Sequence, residues 1–124
     1  MKIGIIIPCY NIEQDINLSH VLCLIDLNSH LHFCFVNNAS SDNTMSILEY
    51  LKKESTQEVS VLDIKKNKPY SMAVRLGARY LNTIEYLDYV QSLSVDFNMS
   101  LQALKNMFER NVLKEYEFYE NNIY

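Results

Sequence analysis

Glycine is scarce here: two among 124 residues, alongside two prolines and no tryptophan. That excludes the Gly-rich phosphate loops of P-loop and dinucleotide-binding domains, whose turns need several glycines in one short run. Cysteine stops at three, Cys9, Cys23 and Cys34, and no pair has the C-x-x-C spacing of a zinc or redox site. Cys9 and Cys34 lie inside apolar runs, so buried free thiols in a reducing compartment are expected. No N-terminal apolar run is long enough for a signal peptide or a membrane span, since Ile3 to Ile7 closes at Pro8. The expected location is the cytoplasm, with a peripheral place on the inner membrane as the alternative. Positive charge is short too: 11 Lys and Arg against 15 Asp and Glu give a net −4. Apart from Lys65, Lys66 and Lys68 the basic residues are scattered, which argues against a nucleic-acid partner.

Apolar residues are plentiful at 48%. One domain over residues 1–124, with its own core, is therefore expected. Ile3 to Ile7 is a β-branched run and reads as a buried parallel strand. From Ile12 to about Leu27 the apolar spacing becomes helical. Leu31 to Val36 is a second strand candidate, and it ends at the polar cluster N-N-A-S-S-D-N-T. Ser40 or Ser41 is the expected N-cap of a helix bearing Met45, Leu48 and Leu51, with Asp42 in its first turn.

Val59 to Ile64 reads as a third strand. Pro69 stands where it can open the next helix, whose stripe reads Ala73, Leu76, Tyr80 and Ile84, with Arg75 and Arg79 on another side. Residues 86–95 read as a fourth strand of uncertain start. Phe97, Leu101, Leu104 and Phe108 mark an amphipathic helix. The stretch from Glu115 to Tyr124 is acidic and tyrosine-rich, without a period. Alternating strands and helices imply a mostly parallel sheet with helices on both faces, a three-layer α/β fold. Ligands of such sheets lie beyond the carboxyl ends of the strands. Pro8 to Asn11 and Asn37 to Thr44 are both placed there.

Each of these segments has two readings. In P-C-Y-N, Tyr10 and Asn11 offer a ring face and an amide to a flat ligand, or Asn11 simply caps the next helix. N-N-A-S-S-D-N-T can hold a base or phosphate on free backbone N–H groups, or serve as a cap with an Asx turn. Arg75, in N-K-P-Y-S-M-A-V-R-L-G, suits a diphosphate, or is a solvated helix arginine.

Taken together and in this order, I-I-I-P-C-Y-N, N-N-A-S-S-D-N-T and N-K-P-Y-S-M-A-V-R-L-G resemble the family 2 glycosyltransferases. Those enzymes open with a strand and P-x-Y-N, continue with a strand ending in D-D-G-S-x-D-x-T, and follow with N-x-G-x-x-x-A-x-R-x-G. The resemblance covers residues 3 to about 84. It implies a GT-A, Rossmann-like nucleotide-binding half and a nucleoside diphosphate sugar donor, UDP- or GDP-linked. By position, Pro8, Tyr10 and Asn11 would line the nucleoside pocket. Asn37 and Asn38 would face base and ribose, and Asn67 and Arg75 would lie near the base and diphosphate.

The resemblance also implies Mg²⁺ or Mn²⁺ held by a D-x-D on the fourth strand, and here the ligands are not intact. One register puts Val90 and Ser92 at the acidic positions; another keeps Asp88 but puts Val90 at the second. Asn37 and Asn38 replace carboxylates, and Pro69 replaces a glycine. The family's acceptor-binding half and general base have no counterpart, and nothing singles out Glu115, Glu117 or Glu120 as a base. The expectation is a truncated relative with impaired or absent catalysis; the alternative is a non-catalytic nucleotide-binding or oligomerising module. A homodimer is expected to cover the exposed sheet edge, using the helix with Phe97, Leu101, Leu104 and Phe108 and the tyrosine-rich tail.

Overall fold

A computed structural model describes residues 1–112. Its elements alternate as β1 (Ile3–Cys9), α1 (Leu18–Leu27), β2 (Leu31–Asn38), α2 (Thr44–Glu54), β3 (Val59–Ile64), α3 (Tyr70–Leu81), β4 (Tyr89–Ser92) and α4 (Leu101–Asn111). The strands form one sheet in the order β3-β2-β1-β4, parallel at every pairing. β1 and β2 are central, which is why their sequences are near-continuous apolar runs. Ile3 pairs with Leu31 and Tyr89, Ile6 with Cys34 and Ser92. Pro8 lies inside β1, opposite Val36. The Leu93 N–H donates to the Ile6 carbonyl, so by alternation Pro8 faces the β4 side, where its missing N–H ends that ladder.

The two faces of the sheet carry separate apolar cores. Ile3, Ile5, Ile7, Phe33 and Phe35 pack with residues of α1, α2 and α4, among them Ile25, Leu48, Leu51, Leu104 and Phe108. Ile6, Cys34 and Val36 pack with Ala73 and Leu81 of α3 on the other side. Phe33 stacks on both Phe35 and Phe108, with ring centroids 5.9 and 5.6 Å apart. Phe97, Leu104 and Phe108 are buried in this core. The face of α4 read as a dimer contact is thus used within the chain, and the tail read as its companion lies outside the described residues. Cys9, Cys23 and Cys34 are free thiols, Cys9 and Cys34 buried; burial pushes the Cys34 thiol up to about 12 and Cys9 higher still. No described helix is long and apolar enough to cross a membrane.

Several boundaries differ from the sequence reading. Helix α1 begins at Leu18, capped by Asn17, whose side chain accepts from the His20 N–H. Ile12 to Ile16 form one isolated turn, closed by the Ile16 N–H on the Ile12 carbonyl, which satisfies the same apolar spacing. On α3 the buried stripe is Ala73, Gly77 and Leu81, one residue round from the one read, and Tyr80 is exposed. Glycine gives no apolar signal, so the sequence pattern shows its neighbours in place of the buried stripe. β4 is shorter than residues 86–95, and α4 starts after Phe97 with Ser100 as its N-cap.

Candidate functional site

The polar motif after β2 is bound to the loop after β1. The Asn11 N–H donates to Ser40 Oγ at 2.9 Å, the Ile12 N–H to Thr44 Oγ1 at 2.9 Å, and the Glu13 N–H to Asp42 Oδ2 at 3.2 Å. In return the Ser41 N–H donates to Asn11 Oδ1 at 2.8 Å, and Asn43 Nδ2 to Glu13 Oε2 at 2.9 Å. Ser40 and Ser41 therefore do not cap α2, and Asn11 does not cap α1. Asn43 takes the N-cap position, and Asp42 stands ahead of the helix, accepting from the Thr44 N–H and hydroxyl. Burial opposes ionisation of Asp42, but the bonds from Thr44 and Glu13 outweigh it and hold the carboxyl below its usual range.

Two residues in these loops have left-handed backbone, Asn11 at φ 50° and Ala39 at φ 55°. Asparagine tolerates this conformation; for alanine it costs roughly 1–2 kcal/mol. Neither glycine has positive φ.

A cleft of about 260 Å³ lies at the carboxyl edge of the sheet, lined by Pro8, Cys9, Tyr10, Asn38, Asn67 and Tyr70. Of the residues read from the sequence, Pro8, Tyr10, Asn38 and Asn67 come together here. Asn11 and Asn37 are not among the lining residues. Asn37 Nδ2 donates to Asp63 Oδ1 at 2.9 Å, and its oxygen accepts from the Ser40 N–H. The Lys65 ammonium, then the Asn37 amide, hold the Asp63 carboxyl low against the effect of burial. Asn38 is committed at both ends: its nitrogen donates to the Lys68 carbonyl at 2.8 Å and its oxygen accepts from the Lys68 N–H at 2.9 Å. Asn67 donates to the Asn38 carbonyl at 2.9 Å.

Arg75 lies further along α3 on an exposed face and does not line the cleft. Asp88 is at the wrong end of its strand: its carboxylate accepts from the Lys2 N–H at 2.8 Å, at the amino edge of the sheet. Val90 and Ser92 are ladder residues opposite Gly4 and Ile6. The carboxylate that does follow β4 is Asp96, which accepts from the Asn98 N–H; Asn98 in turn bridges to Asp15. Ser94 and Asp96 stand two residues apart, a hydroxyl and a carboxylate at D-x-D spacing, and neither is among the residues lining the cleft. The sequence reading missed both Asp96 and Tyr70, although Asp96 is visible as the acidic residue just past the fourth apolar run. No described group of three or more His, Cys, Asp or Glu could hold a metal ion, and a hard divalent ion fits this donor set poorly.

A second cavity, about 490 Å³, opens on the β3 side among His32, Lys52, Glu58, Ser60, Tyr80 and Tyr86. The Tyr86 hydroxyl donates to Glu58 Oε2, so it accepts from the Nδ1–H of His32, and His32 Nε2 accepts from the Ser60 hydroxyl. Burial lowers the His32 pKa; Glu58 opposes this and Lys2 reinforces it. The folded chain therefore binds this proton less readily than the unfolded chain. Stability is full above about pH 6.5 and falls as pH drops below it. His30, lowered by burial and Lys2, acts in the same direction. Urea midpoints measured from pH 7.5 down to 5.5 are expected to fall, and His32→Gln to flatten that slope; an unchanged slope in the variant would assign the effect elsewhere.

The all-parallel α/β sheet with a cleft beyond the carboxyl ends of β1 and β2 defines a GT-A-like, Rossmann-like domain. The family model described as glycosyl transferase family 2 matches residues 4–111, and the chain belongs to that family. No curated relative matches the sequence. Membership implies a nucleotide-sugar donor.

Proposed function

We propose that the chain binds a nucleoside diphosphate sugar, UDP- or GDP-linked, in the carboxyl-edge cleft, with little or no sugar transfer of its own. The observation that carries this reading is convergence: the end of β1 and its loop (Pro8, Tyr10), the end of β2 (Asn38), the loop after β3 (Asn67) and the start of α3 (Tyr70) line one cleft. Helix α3 opens beside it with no side-chain cap, and uncapped N–H groups at a helix start suit a phosphate. Weak catalysis follows from the polar groups present. The amides of Asn37 and Asn38 are occupied by their own loops, and Asp96 is the single carboxylate of its D-x-D-spaced pair.

Calorimetric titration with UDP and GDP, each with and without Mn²⁺, tests both halves. Binding is expected in both conditions, strengthened less than about threefold by the ion, because one carboxylate supplies few of the oxygens that a hard cation requires. Strict dependence on Mn²⁺, or measurable turnover of a UDP- or GDP-sugar by the purified protein, would overturn the non-catalytic half. Absence of any nucleotide binding would overturn the whole.

A further inference from the structure

We infer that Tyr70 is a nucleoside-binding residue of this cleft: with Tyr10 it receives the base by stacking, so that the site tolerates different bases. The inference rests on the nucleotide reading above and adds how the base is held.

Tyr70 stands three residues before Ala73 and seven before Gly77, on the stripe of α3 that packs against the sheet. A residue on that stripe is normally buried, yet Tyr70 is 49% exposed. The reason is position: it is the first residue of α3 and lies at the carboxyl edge, where it lines the cleft with Pro8, Cys9 and Tyr10. Its place is fixed on two sides. Pro69 sets the entry at φ −55° and accepts from the Met72 and Ala73 N–H groups through its carbonyl, while Ala73, Gly77 and Leu81 are buried against the sheet.

Tyr10 is 55% exposed and directly precedes Asn11, whose backbone N–H is held by Ser40 Oγ and whose side-chain oxygen by the Ser41 N–H. Among the described residues the ring contacts are His32–Tyr86, Phe33–Phe35 and Phe33–Phe108, so neither cleft tyrosine is stacked on another ring. The groups that would read a base edge are mostly taken. Asn38 is bonded through both side-chain atoms to Lys68, and Asn67 spends its amide N–H on the Asn38 carbonyl. Aromatic faces remain available while the amide partners are committed. Stacking accepts any base, because every base has a π-face.

The experiment titrates the full chain with UDP, GDP and inorganic pyrophosphate. Wild type is expected to bind UDP and GDP within about threefold of each other, since stacking is nearly indifferent to base identity. Tyr70→Ala is expected to weaken both about tenfold and leave pyrophosphate unchanged, with Tyr70→Phe close to wild type. Equal UDP binding by wild type and Tyr70→Ala, or a wild-type preference for one base above about thirtyfold, overturns the inference and leaves the nucleotide reading standing. A wild-type chain that binds neither nucleotide sinks the reading and the inference together. Tyr70 is half in solvent, so both variants are expected to keep the wild-type unfolding midpoint, which separates lost stacking from lost fold.

Discussion

Thr44→Val is expected to destabilise the chain by about 2–3 kcal/mol and to weaken nucleotide binding with it. Valine keeps the shape of threonine but not its hydroxyl. Thr44 is fully buried, and its hydroxyl accepts from the Ile12 N–H while donating to Asp42 Oδ1. Without it the Ile12 N–H, in a residue only 7% exposed, has no partner and little access to water. A buried donor left unpaired costs more than the bond was worth. Asp42 loses a donor as well, although the N–H groups of Thr44 and Glu13 still hold it. Ser40→Ala supplies the contrast. It removes the acceptor for the Asn11 N–H, but this site is half open and water can substitute, so the cost is under about 1 kcal/mol. Urea unfolding of the two variants measures the difference. Equal losses would mean that the two loops are not held by their buried contact.

The ordering of those effects is invisible in the sequence. Residues 37–44 were legible as a polar motif at a strand end, because Ser, Asp, Asn and Thr are the types that cap and turn. Their distant hydrogen-bond partners, Asn11, Ile12 and Glu13 on one side and Asp63, Asn67 and Lys68 on the other, are about thirty residues away, and nothing in a local pattern names them. The sheet itself was legible. β-branched and aromatic runs at Ile3–Ile7 and Leu31–Val36 are what central parallel strands require, and β1 and β2 cover them. Tyr70 was passed over because a tyrosine next to a proline reads as loop surface. Only the sheet edge beneath it explains why a residue on the buried stripe is exposed. Asp88 misled for the converse reason: it is an acidic residue beside a strand whose start the pattern did not fix, and because β4 begins only at Tyr89, Asp88 lies at the amino edge against Lys2.

Gly77→Val is expected to destabilise the chain by about 3 kcal/mol. A Cβ at Gly77 would lie 2.7 Å from Ile6 Cγ2 and 3.3 Å from Val36 Cγ2. Both neighbours are β-branched residues of the central strands, at 1% and 0% exposure, so neither can swing aside. Alanine gains about 1 kcal/mol of helix propensity over glycine, which partly offsets its clash. Valine gains less and brings two more methyl groups into the same space. The helix must then lift from β1 and β2, and α3 carries Tyr70 at its first turn. Gly77→Val should therefore also reduce nucleotide affinity, whereas Gly77→Ala should lose roughly 1 kcal/mol of stability and keep the cleft. Chemical denaturation and UDP titration of both variants check this pair. A valine variant with a wild-type midpoint would show that α3 does not lie flush on the sheet, and the cleft wall built on it would lose its anchor.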